Sequence, residues 1–171
     1  MANYAPICVL GVTGGDILAT VQASNSLHSV AEDGAASEKA AECVLLIEDN
    51  EEAMWLVENA LQVHGKGRYC LEWAKDLKEG LRRLSQSKVA IVLLDLGLPD
   101  SAGLSGYSAV RKMAPDVPVL VLTGDSRAET ECALTASGTE DYLVKDEVSG
   151  PLLIQAINAA LYQNKRVHSS R

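Results

Sequence analysis

The sequence lacks a long apolar run: no stretch of its 171 residues reaches the roughly 18 consecutive apolar residues that a membrane-spanning helix needs. It is also short of basic residues, with 15 Lys and Arg against 23 Asp and Glu and a formal net charge of −8. Because an acidic surface repels phosphate backbones, this balance argues against direct binding to nucleic acid. We therefore expect neither a membrane protein nor a nucleic-acid-binding protein.

Cysteine and histidine are scarce. The four cysteines lie far apart with no CxxC pair, and only three histidines are present. A zinc site therefore has little support, since such sites draw on closely spaced Cys and His ligands. We interpret the thiols as small apolar side chains in a reducing compartment, and we expect a cytoplasmic location. The phosphate-binding motif GxxxxGK[ST] is also absent.

Charge and composition divide the chain into three parts. Residues 1–42 hold one basic and five acidic residues, and their single apolar run, 7–12, has no basic segment before it. A secretory signal is therefore a poor fit, and we expect an acidic, flexible N-terminal extension. The main domain is predicted over 43–163. Residues 164–171 hold three basic residues and no acidic ones, and we expect a short, solvated basic tail.

From Cys43 onward, short apolar runs alternate with amphipathic stretches. The runs are continuous and rich in β-branched residues, which is typical of strands covered on both faces. They predict strands over 43–47, 69–73, 89–94, 117–122 and 141–144, and helices over 51–63, 77–85, 105–113, 127–136 and 152–162. Five β–α repeats predict an α/β open sandwich, in which right-handed crossovers place helices on both faces of a five-stranded parallel sheet.

Polar residues lie at the ends of four predicted strands. Glu48 and Asp49 follow the first, and Asp95, Thr123 and Lys145 end the third, fourth and fifth. Each has an ordinary explanation when taken alone, such as capping a helix or facing solvent. Parallel topology places all of them at one edge of the sheet, where ligands bind in such folds. Three carboxylates facing one lysine would repel each other, and a Mg²⁺ ion with oxygen ligands would compensate.

Four motifs resemble those of the receiver domain of two-component response regulators, a flavodoxin-like (βα)5 fold. They are VLLIEDN at 44–50, VLLDLGLPDSAG at 92–103, VLVLTGD at 119–125 and GTEDYLVKD at 138–146. The resemblance covers residues 43–163, and its strength lies in several independent motifs in the right order.

The resemblance implies a phosphorylation site. Asp95 would be the phosphoacceptor, since a carboxylate can attack phosphorus and form an acyl phosphate. Asp49 and Asp95 would bind Mg²⁺ directly, Glu48 would hold it mainly through water, and the Gly97 carbonyl would supply a backbone oxygen.

The resemblance also implies a phosphoryl-binding pair and a switch. Lys145 would pair with a phosphoryl oxygen, and Thr123 would donate its hydroxyl to the same group. Tyr142 occupies the place of the family's switch aromatic, whose ring would turn inward after Thr123 moves.

Two positions depart from the family pattern. Asp146 follows Lys145 where the family usually has proline, often after a cis peptide bond. A non-proline cis bond costs roughly 2.5–4 kcal/mol, which favours a trans bond here. The acidic pair is Glu48-Asp49 instead of the commoner Asp-Asp, and the longer Glu48 side chain still permits a contact through water.

The predicted helix 152–162 is unusually apolar, since eight of the ten residues from 152 to 161 are Leu, Ile or Ala. Two interpretations stay open. The helix is either well buried, with exposed alanines that raise helix propensity, or it presents a surface for a partner or a second copy. The family uses its fourth helix, fifth strand and fifth helix for that purpose. The predicted helix 127–136 has small side chains, which suits a weakly held switch element.

These patterns predict a stand-alone receiver, a binding module and not an enzyme, without a DNA-binding output domain. A sensor histidine kinase or histidine phosphotransfer protein would phosphorylate Asp95, and a downstream protein would bind the product. Haloacid-dehalogenase-like chemistry is disfavoured, because no second aspartate follows Asp95 two residues on. The alternatives are a pseudo-receiver that acts as a constitutive interaction module, and a phosphate sink.

Overall fold

The structure, a computed structural model, describes residues 40–124, 142–145 and 148–169, apart from the side chain of His168. These residues all belong to one unit, Ala40–Arg171. Most of the predicted acidic extension, the predicted helix 127–136 and the loop at Asp146 lie outside the described residues.

Five strands form one parallel sheet in the order β2-β1-β3-β4-β5. They are β1 (Glu42–Ile47), β2 (Tyr69–Ala74), β3 (Ile91–Asp95), β4 (Val119–Thr123) and β5 (Tyr142–Val144). The register pairs Asp95 with Leu122 and Thr123 with Val144, so the carboxyl ends of β3, β4 and β5 meet at one edge. The predicted fold class is confirmed.

The described helices are α1 (Glu51–His64), α2 (Leu77–Gln86), α3 (Ser105–Met113) and α4 (Gly150–Ser169). Capping side chains fix the starts of the first two, because the first backbone N–H groups of a helix have no partner within it. The Asn50 side chain accepts hydrogen bonds from the backbone N–H groups of Glu52 and Ala53, and Asp76 accepts one from that of Glu79.

Helix α4 is longer than the sequence predicts. It runs to Ser169 and includes most of the segment expected to be a solvated tail. Two contacts hold this extra length. The Asn164 side chain donates to the Asp116 carbonyl at 2.9 Å, and Lys165 Nζ lies 3.0 Å from Glu42 Oε1. Partners this distant in sequence leave no local signal, which explains the difference.

The core has two layers, one on each face of the sheet. Leu46 and Leu93 face α1 and α4, whereas Leu45 and Leu94 face α2 and α3, as strand alternation requires. Helix α2 packs closely because Gly80 has no side chain: a Cβ there would meet Ile47 Cγ1 at 2.8 Å. The edge strand β2 differs from the expected covered strand, since all of its residues but Ala74 are only half-buried.

No helix among the described residues is both long enough and apolar enough to cross a membrane.

Candidate functional site

Three carboxylates meet at the carboxyl edge of the two central strands. Glu48 and Asp49 follow β1, and Asp95 ends the neighbouring β3. One oxygen from each carboxylate lies within 4.8 Å of the others. Glu48 is fully buried, Asp95 is 5 % exposed and Asp49 is exposed. The structure thus brings together the acidic residues that the sequence predicts for one edge.

Lys145 follows β5 and reaches past β4 to these carboxylates. Its Nζ lies 2.7 Å from Glu48 Oε2 and 2.9 Å from Asp95 Oδ1. Within the part of the chain that the structure describes, this single positive charge faces three negative ones. The site is therefore held together by one central cation but keeps an excess of negative charge.

Burial and ion pairing act against each other in this cluster. Burial raises the pKa of Glu48, and the neighbouring Asp95 adds to the rise, while the contact with Lys145 opposes it. Burial lowers the pKa of Lys145, but its hydrogen bonds to Glu48 and Asp95 outweigh this and leave the pKa above its ordinary value. Lys145 is therefore a firmly protonated cation at neutral pH.

Backbone and indole contacts fix the position of Glu48. The Asn50 backbone N–H donates to Glu48 Oε1 at 3.3 Å, and the Glu48 N–H donates to the Ala74 carbonyl at 3.0 Å. The Trp73 Nε1–H donates to the Glu48 carbonyl at 2.7 Å. Sequence reasoning missed Trp73, because its role depends on the pairing of β1 with β2.

The loop after β3 is shaped by two residues. A Cβ on Gly97 would lie 3.1 Å from Asp95 Oδ2, so the backbone there passes close to the Asp95 carboxylate. Asp100 accepts hydrogen bonds from the backbone N–H groups of Leu77 and Lys78, both at 3.0 Å. It ties the loop to the start of α2. Asp100 lies in the LPDSAG segment but was not predicted to have this role.

Thr123 and Tyr142 lie on neighbouring strands and on the same face of the sheet. Thr123 is buried at the end of β4. Tyr142 pairs with Val121, and both pack against the core layer beneath α2 and α3. Strand alternation puts Thr123 on the same side as Val121. The two residues predicted to form a switch therefore lie close to one another, although their roles stay predictions.

The residues present fit a magnesium ion. Mg²⁺ prefers carboxylate and carbonyl oxygens and binds through one or two carboxylates together with water or phosphate oxygens. The cluster offers three carboxylate oxygens within 4.8 Å and an uncompensated negative charge. Asp49 is exposed, so it is open to an ion that keeps several waters.

A scan against family models matches the response regulator receiver domain over residues 44–158. The chain belongs to that family. The resemblance read from the four motifs is confirmed: this is a receiver domain of the response regulators of two-component systems, a family whose acidic pocket generally binds Mg²⁺.

Similar proteins are named as transcriptional regulators. KdpE, the KDP operon transcriptional regulatory protein of Escherichia coli, is 33% identical over 127 residues, which cover 74% of this chain and 52% of KdpE. The transcriptional regulatory protein PrrA of Mycobacterium leprae is 32% identical over 110 residues, covering 64% of this chain and 46% of PrrA. This chain therefore spans about half the length of these curated relatives.

Solved structures agree with the fold. A CheY-like receiver domain protein from Methanospirillum hungatei matches with a TM-score of 0.65 and 22% identity, over 74% of this chain and 98% of that one. The chemotaxis protein CheY4 of Vibrio cholerae matches with a TM-score of 0.62 and 25% identity, over 71% and 99%.

Proposed function

We propose that the protein is a phosphorylation-controlled receiver whose phosphoacceptor is Asp95. The observation that carries this proposal is the cluster itself, in which Asp95 lies 2.9 Å from Lys145 Nζ and within 4.8 Å of two further carboxylates. An ordinary structural carboxylate would have one cation and few like charges near it. Asp95 also lies at the carboxyl edge of a parallel sheet, which is where such folds bind ligands, so a phosphoryl donor can approach it there.

In the reaction, a carboxylate oxygen of Asp95 attacks the phosphorus of the donor. A new O–P bond forms as the bond between phosphorus and the donor's leaving group breaks, which gives an acyl phosphate. Lys145, already within ion-pair distance of Asp95 Oδ1, is placed to pair with a phosphoryl oxygen. Its second contact, to Glu48, holds the ammonium group at the site before the donor arrives.

Asp49, Asp95 and the Gly97 carbonyl would hold Mg²⁺, with Glu48 acting mainly through water. The bound ion would neutralise the negative charge that the phosphoryl group adds to an already acidic site. The hydrogen bonds from Asn50 and Trp73 hold buried Glu48 in place, so its carboxylate is already positioned before an ion binds.

The donor is a sensor histidine kinase or a histidine phosphotransfer protein, and α1 borders its approach to Asp95. Helix α1 begins directly after the acidic pair, and its second turn exposes Trp55 (64 %) and Leu56 (71 %). Leu56 lines a pocket together with Glu48 and Lys145, so part of this apolar surface adjoins the site. Exposed apolar side chains next to a site favour contact with a protein over contact with a small molecule alone.

After phosphorylation, the Thr123 hydroxyl would donate to the new phosphoryl oxygens, and the Tyr142 ring would turn inward. The output is a contact with a downstream protein at the surface formed by β5 and α4. Within the predicted segment 152–162 most of the apolar residues of α4 are buried or half-buried, and Leu152 and Tyr162 are the large ones that stay exposed. This leaves a smaller apolar surface than the sequence alone suggests, either for a target protein or for a second copy.

The test is incubation with acetyl phosphate, with and without Mg²⁺, followed by measurement of the intact mass. We expect one phosphoryl group per chain in Mg²⁺ and none in EDTA. The Asp95→Asn protein should not be labelled, while Asp100→Asn, a matched control in the same loop, should be. Unlabelled parent protein that is folded and in excess Mg²⁺ would instead support a pseudo-receiver.

A further inference from the structure

A pair of cysteines lies at the opposite end of the sheet from the phosphoacceptor site. Cys43 is the second residue of β1, Cys70 is the second residue of β2, and the two are directly paired in the register. Both are free and half-buried. Glu48 lies five positions after Cys43, which is about 16 Å along an extended strand, so the cysteine pair takes no part in the site described above.

The register places the two Cα atoms at a separation that a disulfide can bridge. Neighbouring strands lie about 4.7–4.9 Å apart, within the range of about 4.4–6.8 Å for the Cα atoms of disulfide-linked cysteines. Directly paired residues of parallel strands also project to the same face of the sheet. The Cys70 thiol is near enough to Cys43 to affect its ionisation through a hydrogen bond and through charge.

A polar cluster surrounds the thiols. Cys43 Sγ donates a hydrogen bond to Glu72 Oε1 at 3.5 Å. The other Glu72 oxygen accepts one from the Ser87 hydroxyl at 3.2 Å and lies 3.9 Å from Arg83 Nη1. Glu72 follows Cys70 by two residues and therefore lies on the same face of β2. The thiols therefore lie in a half-buried corner with polar neighbours and not in a wholly apolar core.

We propose that Cys43 and Cys70 form an oxidisable dithiol, which low-molecular-weight disulfides such as oxidised glutathione convert to a cross-strand disulfide. In the first step the Cys70 sulfur attacks oxidised glutathione, whose S–S bond breaks and releases one glutathione. In the second step the Cys43 sulfur attacks the Cys70 sulfur of the mixed disulfide and releases the second glutathione. The pair loses two electrons and two protons, and one glutathione disulfide is reduced to two thiols.

The order of the two steps follows from the surroundings of Cys43. Burial, the Glu72 carboxylate and Cys70 all raise the pKa of Cys43 far above its usual range, which leaves very little of the reactive thiolate. Cys70 lies on the edge strand and is the thiol that a bulky oxidant meets first. Cys43 reacts second, when the target sulfur is already beside it.

The disulfide would link the edge strand β2 to the central strand β1 and close a loop that contains α1. Such a cross-link reduces the freedom of the unfolded chain, and for a loop of this length we expect the melting temperature to rise by about 10 °C. The carboxyl edge of the sheet would be unchanged, so labelling of Asp95 by acetyl phosphate should be the same in both redox states.

The experiment uses the full chain with Cys8→Ser and Cys132→Ser, which leaves the two paired thiols. After equilibration in glutathione buffers of increasing potential, peptide mapping should find residues 43 and 70 joined by a disulfide that dithiothreitol reverses. The further variant Cys43→Ser should stop at a glutathione adduct on Cys70, and Cys70→Ser should react more slowly.

Two results would overturn the proposal. One is a protein that keeps both thiols free in the most oxidising buffer while it stays folded by circular dichroism. The other is glutathione on both cysteines with no cross-link and no rise in melting temperature. Because acetyl phosphate labelling is measured on the same samples, failure here is distinguishable from failure of the proposed phosphoacceptor site.

Discussion

Replacing Lys145 with methionine removes the cation of the site while keeping a side chain of similar length. Its Nζ contacts fully buried Glu48 at 2.7 Å and mostly buried Asp95 at 2.9 Å. Removing one partner of a buried ion pair costs about 3–5 kcal/mol, because the remaining charge is left uncompensated. The Lys145 side chain is 27 % exposed, so water can replace part of the lost contact and the low end of that range applies.

We therefore expect Lys145→Met to lower the free energy of unfolding by about 3 kcal/mol. Urea unfolding followed by circular dichroism, in EDTA, is the assay. Lys75→Met is the matched control. Lys75 Nζ lies at the same 2.7 Å from Glu51, but both side chains are more than half exposed, so the loss should be far smaller.

A double-mutant cycle then separates the interaction energy of Lys145 with Glu48 from the effect of the site's overall negative charge. In Lys145→Met the added change Glu48→Gln should restore part of the stability, because it removes the buried charge that lost its partner. Lys145→Met protein as stable as the parent, with additive effects in the cycle, would refute the argument that Lys145 holds the acidic cluster together.

Two further predictions concern the switch and a surface ion pair. The Thr123→Ala protein should still accept a phosphoryl group from acetyl phosphate. It should lose most of the target binding or self-association that beryllofluoride induces in the parent protein. An equal response to beryllofluoride in both proteins would exclude Thr123 from the switch. Burial acts to raise the pKa of Glu79, but the hydrogen bond and ion pair with Arg83 outweigh burial and lower the pKa. The Glu79–Arg83 pair therefore stabilises the fold at pH values above the ordinary Glu pKa of about 4.3. This stabilisation is lost as the pH falls below that value and Glu79 becomes protonated. Glu79→Gln should flatten the fall of melting temperature over that acid range, and an unchanged pH profile would contradict the assignment.

The sequence predicts those parts of the site that depend on topology alone. Parallel strands end at one edge, so charged residues placed directly after strands, such as Glu48, Asp95 and Lys145, must converge there. Their motifs also identify the family. The predicted strand bounds agree with the observed ones to within two residues, because each strand coincides with a short apolar run.

Contacts between residues that are far apart in the sequence could not be predicted from local sequence patterns. The Trp73 hydrogen bond to Glu48 requires the β1–β2 pairing, and the Asp100 contacts require the loop after β3 to approach the start of α2. The length of α4 depends on Lys165 meeting Glu42, far away in the sequence. In each case the deciding contact is a tertiary one, which local composition does not encode.

Reductive trapping of the acyl phosphate identifies the acceptor most directly. Borohydride reduces an aspartyl phosphate to homoserine, so peptide sequencing by mass spectrometry after acetyl phosphate treatment names the modified residue. The account predicts homoserine at position 95, dependent on Mg²⁺ and absent from Asp95→Asn protein. Homoserine at position 49 or 100 instead, or none in labelled protein, would contradict the assignment of Asp95 as the phosphoacceptor.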